Sequence, residues 1–326
     1  MEAAGNAISS NVESVSKLAA HVRGELSKVI VGQEATVDQL LLVILCGGHG
    51  LVEGVPGLAK TLAVKALALL LQLDFQRVQC TADLMPADVL GANIFNMGAS
   101  SFTLHRGPVF TDLLLVDEIN RTPARTQAAL LESMEERQVT IDGTRHPLSG
   151  FFTVFATQNP VEFEGTYPLP EAQLDRFLMK ILISYPGADQ EVRILENYQN
   201  GFDARELEKV GLVPVDSTLL TAARREVAQV KVEPALFRYI TTLVRRTREW
   251  PALSLGASPR AAISLMMVAK AIAAMDGRPY LIPDDVKSVA PPVLRHRIML
   301  KPEADLEGVT ADQVIRDVIA AVEVPK

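Results

Sequence analysis

Five short apolar runs separated by helical stretches most constrain what this chain can become. "HGLVEG", "FQRVQC", "LLLVD" from Leu113, "FFTVFATQN" and "FLMKILISYP" each read as a strand. Between them, "KTLAVKALALLLQL" is apolar nearly all round and predicts a buried helix, and "PARTQAALLESMEER" predicts another. Strands alternating with helices fold as a parallel, doubly wound α/β sheet. Upstream, "VESVSKLAAHVRGELSKVI" has apolar residues at helical spacing, and a turn and second helix follow until Gly47 and Gly48 stop them. From about Gly187 onward the stretches are helical, with few strand candidates. The expectation is an α/β domain over residues 1–187 and a smaller all-α domain over 188–326.

Composition narrows the class. The chain has 326 residues, 48% hydrophobic and 22% charged, as in an ordinary soluble globular protein. No window approaches the ~18 unbroken apolar residues of a membrane span. The N-terminus has no basic start followed by an apolar core, so no signal peptide is expected and a cytoplasmic location is. A net charge of −7 argues against a generic electrostatic grip on nucleic acid. Cys46 and Cys80 read as two buried thiols, and the five histidines never pair at i, i+3 or i, i+4. The cluster Arg245, Arg246 and Arg248 reads as a solvated helix face.

The stretch "EGVPGLAKT" is almost a phosphate-binding loop, but Ala59 stands where a glycine should precede Lys60. Its context is right: a strand, a Gly-rich turn, then a helix opening with Lys-Thr. Backbone N–H groups at the helix start would surround phosphates, and the dipole favours their charge. Lys60 would reach the β- and γ-phosphates of ATP, and Thr61 would ligate Mg²⁺. Gly54 and Gly57 supply the permissive turn conformations. Ala59 sits at the mouth of the helix, where φ is expected to be negative and a methyl to fit.

A second feature supports the first. "LLLVDEIN" ends a buried strand in Asp117-Glu118, a Walker B arrangement delivered to the sheet's C-terminal edge. Asp117 would hold the Mg²⁺ shell, and Glu118 would orient and deprotonate the attacking water. One strand later, Asn159 reads either as a sensor that positions that water or as a turn residue before Pro160. Arg176 reads either as an arginine finger for a neighbouring subunit or as a local partner of Asp175 or Glu171. In "GASPRAA", Ser258 is a candidate N-cap, Pro259 the first helical residue, and Arg260 a first-turn cation that opposes the helix dipole. That mismatch predicts an anionic partner for Arg260.

Taken together, "VIVGQE", "EGVPGLAKT", "LLLVDEINRTPARTQAALLESMEERQVTIDG", "FATQNPVEFEGTYPLPEAQLDRF", "GASPRAA" and "LRHRI" resemble the MoxR family of AAA+ ATPases over nearly the whole chain. The resemblance implies a P-loop AAA+ module, a parallel αβα sandwich followed by an all-α lid. In that family the loop typically carries Ala at the position of Ala59. The resemblance assigns Lys60 and Thr61 to Walker A, Asp117 and Glu118 to Walker B, Asn159 to sensor 1, Arg176 to the finger and Arg260 to sensor 2. It places Val31 and Gly32 beside the adenine. It makes Gly54, Pro56, Gly57, Leu58, Ala59 and Leu62, with Lys60 and Thr61, the cradle for ATP.

Two insertions fit the same branch. "ANIFNMGASSFTLHRGP" predicts a hairpin interrupting the helix after the second strand, with Gly98 in its turn region. "RQVTIDGTRHPLSG" predicts another, turning at Asp142-Gly143. In related ATPases such hairpins point toward a central pore and touch the substrate, which singles out Phe95, Phe102 and His105. The function implied is ATP-driven, chaperone-like remodelling of a protein client by a homo-oligomeric ring, expected to be a hexamer. The implied partner carries a von Willebrand factor A domain. The alternatives are a magnesium-chelatase-like or a helicase-type motor subunit; the latter is disfavoured by the acidic balance and the lack of an appended DNA-binding module.

Overall fold

The computed structural model describes residues 12–55, 57–98, 100–159 and 166–325. Helices α1 (Glu13–Leu26) and α2 (Glu34–Leu45) precede strand β1 (Gly50–Glu53), and α3 (Lys60–Leu70) follows it. Strand β2 (Phe75–Gln79) leads to the short α4 (Pro86–Leu90) and a hairpin, β3 (Gly91–Asn96) and β4 (Ser101–Arg106). Then come β5 (Leu113–Asp117), α5 (Ala124–Glu136) and a second hairpin, β6 (Gln138–Ile141) and β7 (Thr144–Pro147). Strand β8 (Thr153–Gln158), the single turn α6 (Glu171–Leu174) and β9 (Met179–Leu182) complete this half. Beyond it lie α7 (Ala188–Gln199), α8 (Ser217–Gln229), α9 (Pro234–Arg248), β10 (Leu253–Leu255), α10 (Pro259–Met275) and α11 (Pro283–Leu294). A two-residue β11 (Met299–Leu300), α12 (Pro302–Leu306) and α13 (Ala311–Ala321) end the described chain.

The five predicted strands form one parallel sheet in the order β2-β5-β8-β1-β9. Their period-2 pattern explains the layers, since neighbouring residues point to opposite faces. Leu113, Leu115 and Phe155 join a core shared with α1–α3 and the later helices, while Leu114, Val116 and Val154 join a second core under α5. Both faces are therefore covered, as a parallel sheet requires. The packing does not break where the sequence pattern changes: α1 lies against α8, and one core runs from Leu18 through Leu265.

Both predicted hairpins form. Gly91↔Arg106 and Asn96↔Ser101 set the ends of the first. Asp142 (φ 48°) and Gly143 (φ 80°) make the two-residue turn of the second. The first does not interrupt a long helix, however. Only the five residues of α4 precede it, and the chain from Gly107 to Asp112 is irregular. Among the described residues, no helix is long and apolar enough to cross a membrane.

Candidate nucleotide site

Strand β1 lies inside the sheet between β8 and β9, so the chain leaving its C-terminal end carries Gly57, Leu58 and Ala59 to the same edge as the ends of β5 and β8. That is where open α/β sheets bind ligands. There a cleft of about 480 Å³ is lined by Ala59, Lys60, Thr61, Asp117, Glu118 and Asn159. Gly57, Leu58 and Leu62 line it too. The structure thus brings together loop, acid pair and sensor candidate from three strands. Pro56 lies outside the described residues. Val31 and Gly32 are not among the lining residues; they connect to the cleft through Gln33, whose side-chain amide donates to Leu58 O at 3.2 Å.

The reading of Ala59 is corrected. Its φ is 55°, in the left-handed region, and not negative. A Cβ there costs roughly 1–2 kcal/mol relative to glycine. The loop must turn sharply between β1 and α3, and Ala59 absorbs that turn as the residue before the first helical one. Gly57, with φ 87°, shares it without a penalty. The first N–H groups of α3 have no intrahelical acceptor and so remain for a ligand. The Lys60 ammonium donates to Gly54 O at 2.6 Å, within the loop it would leave to reach phosphate.

Glu118 is also left-handed, with φ 59°. Its N–H donates to Thr157 Oγ1 at 2.8 Å, and that hydroxyl donates to Asp117 Oδ1 at 2.6 Å. One threonine on the neighbouring strand therefore fixes both acids. Strained non-glycine residues cluster at functional sites, and here Ala59 and Glu118 line one cleft.

Sequence reading missed what holds the carboxylates. Arg77 pairs with Asp117 Oδ2 at 2.6 Å, Gln79 donates to Glu118 Oε2 at 3.0 Å, and Arg121 pairs with the same oxygen at 3.2 Å. The available signal was the i, i+2 spacing of Arg77 and Gln79, which puts both on one face of β2. Arg205, far along the chain, also lines the cleft. These residues fit a magnesium nucleotide: a mobile ammonium, a threonine hydroxyl at a helix start, and two carboxylates on one strand end.

Arg176 and Arg260 are not in this cleft. Both bind Glu135 of α5, Arg176 through Nε at 3.1 Å and Arg260 through Nη2 at 2.6 Å. Arg260 holds the Glu135 carboxyl below its ordinary range, with a smaller contribution from Arg176. So Arg260 does have an anionic partner, while Arg176 pairs with neither Asp175 nor Glu171. Asp175 instead binds Arg297 Nε at 2.8 Å and accepts from Ser258 Oγ at 3.1 Å. Ser258 holds the N-cap position, but its side chain makes no capping bond. Cys80 is buried as expected, whereas Cys46 is only half-buried.

The profile of the ATPase family associated with various cellular activities (AAA) matches residues 49–179, and that of the AAA lid domain matches 245–318. The chain is 41% identical to the chaperone MoxR1 of Mycobacterium tuberculosis, covering 93% of this chain and 81% of that one. It belongs to the MoxR family of AAA+ ATPases. The uncharacterized protein YeaC of Bacillus subtilis is 45% identical, with 92% of each chain covered. A crystal structure of a putative ATPase from Cytophaga hutchinsonii superposes with a TM-score of 0.87 at 43% identity, over 96% of this chain and 98% of that one. The α/β sandwich with its helical C-terminal part is thus the AAA+ architecture with its lid.

Proposed function

We propose that this MoxR-family protein hydrolyses ATP with Mg²⁺ and uses the energy to remodel a protein client, as a homo-oligomeric ring working with a partner that carries a von Willebrand factor A domain. The observation that carries the enzymatic part is the convergence of Lys60, Thr61, Asp117, Glu118 and Asn159 on one cleft. Magnesium-bound ATP supplies the phosphoanhydride bond and a divalent charge. Lys60 would move from Gly54 O onto phosphate oxygens, and Thr61 and Asp117 would hold the cation. Glu118 would accept a proton from water, with Asn159, at the end of β8, orienting that water. Arg176 and Arg260 sit together on Glu135, away from their own cleft, which supports their acting on the site of a neighbouring copy.

Client contact is supported by the first hairpin. Phe95 and Phe102 are exposed and meet edge to face at 5.2 Å. His105 is also exposed on the same hairpin. Such an apolar tip on a thin hairpin suits contact with an unfolding chain.

A mixing experiment tests ring and enzyme together. Arg176→Ala should keep ATP affinity and lose most hydrolysis, because a finger contributes about 10³–10⁵ in rate in comparable hydrolases. Lys60→Ala should lose binding. Mixed rings should regain activity, because some intact cleft then faces an intact arginine. If both variants co-assemble and stay inactive, while dilute monomeric wild type turns over normally, the ring reading is wrong.

A further inference from the structure

Helix α7 is built inside out. Its half-buried side chains are Gln190 and Asn197, seven residues apart and so on one face of the helix. A Cβ added at Gly32 would lie 2.2 Å from Gln190 Cδ, so that polar face is the one against the protein. The opposite face carries Val192 at 53% and Leu195 at 69% exposure, flanked by Tyr198 at 75%. No residue of α7 is buried. A helix of 12 residues is marginal in water unless an apolar face is packed, and this one packs only its polar face.

We propose that the outward stripe of α7, centred on Val192, Leu195 and Tyr198, is a docking face for a second copy of this chain. It rests on the ring reading and names one of the two surfaces that the ring would join. Two observations select a second copy as the occupant. First, the chain just beyond α7 reaches the nucleotide cleft, where Ala204 and Arg205 line it, while Gln190 of α7 packs on Gly32. Second, the chain carries a complementary surface elsewhere. Arg176 and Arg260 share Glu135, and Ile263, one turn after Arg260, is 57% exposed. That surface sets two arginines against one glutamate beside an exposed isoleucine, whereas α7 flanks its stripe with Asp189, Glu191 and Glu196 against the single Arg193.

The two surfaces differ, so the contact is heterologous, and a heterologous contact closes into a ring when the rotation permits. The same contact carries Arg176 and Arg260 toward the neighbour's cleft, while the acids of α7 steer them. Leu195 would then be an apolar anchor of the interface.

The test uses the full chain with Glu118→Gln, ATP and Mg²⁺, observed by sedimentation velocity over a concentration series. Leu195→Glu should raise the concentration at which the assembly dissociates by at least about tenfold, from the lost burial of one leucine and the buried charge. Val192→Ser should raise it less. Because Leu195 is exposed in the monomer, both variants should keep the wild-type melting temperature and the dilute monomer's affinity for a fluorescent ATP analogue. Mixing Leu195→Cys with Ile263→Cys and a short bis-maleimide should cross-link the two chains, and neither variant alone should. Assembly by Leu195→Glu at wild-type concentrations overturns the docking face while leaving the ring reading intact. Wild type that never assembles overturns both. Cross-linking of Leu195→Cys to itself, and none to Ile263→Cys, replaces the heterologous pairing with an isologous one.

Discussion

His49→Gln should make this protein less sensitive to acid. His49 is buried, its Nδ1 accepts from Val154 N–H at 3.0 Å, and its Nε2 therefore donates to Met134 O at 3.1 Å. Burial pushes the imidazole down from 6.5 to about 4. The folded state thus binds fewer protons than the unfolded state between those values, so stability rises with pH there and is lost as pH falls below 6.5. For these two values the loss between pH 7 and pH 5 is about 2 kcal/mol. His296 adds to it: burial, aided by Arg297, also pushes it well below its ordinary value, and its Nδ1 is buried with no partner among the described residues. Glutamine keeps one donor and one acceptor at position 49 and removes the titration. Urea unfolding of wild type and variant at pH 7, 6 and 5 isolates the difference, since carboxylate contributions cancel. A folded His49→Gln with the wild-type pH slope would refute the assignment of a neutral, buried His49.

Glu118→Gln should bind a fluorescent ATP analogue normally and hydrolyse ATP far more slowly, since only the base is lost; equal losses in both would make Glu118 a metal ligand or a structural residue. Ala59→Gly should change the free energy of unfolding by no more than about 1 kcal/mol, because relief of the left-handed φ offsets the added freedom of the unfolded chain, whereas Ala59→Val should be clearly destabilising. Equal melting temperatures for the two would show that position 59 is not left-handed. Arg297→Met should cost about 3–5 kcal/mol, since it removes the buried cation paired with Asp175 and the donors to the carbonyls of Phe177, Leu178 and Val293. Spread over the chain's unfolding entropy, that is a drop of about 4–7 °C by calorimetry; an unchanged midpoint would mean the pair contributes nothing net.

The sequence by itself determined everything that depends on neighbours in the chain. Short apolar runs marked all five sheet strands, and Asp142-Gly143 marked its turn, because strand and turn are decided within a few residues. Lys60-Thr61 and Asp117-Glu118 were legible because each follows directly from a strand end, and parallel strands of one sheet present those ends on one edge. Tertiary structure alone decided the rest. The sign of φ at Ala59 is set by where β1 and α3 are held by other elements, so local propensity pointed the wrong way. Arg260 finds Glu135 across 125 residues, and Ser258 turns from its own helix to Asp175, since a long-range charge outbids a local cap once folding brings it near. Helix α7 shows the same limit most sharply. Its pattern predicts a helix correctly, yet amphipathicity cannot tell whether the apolar face meets the chain's own core or another molecule. Only the position of Gly32, pressed against Gln190, settles which way the helix is turned.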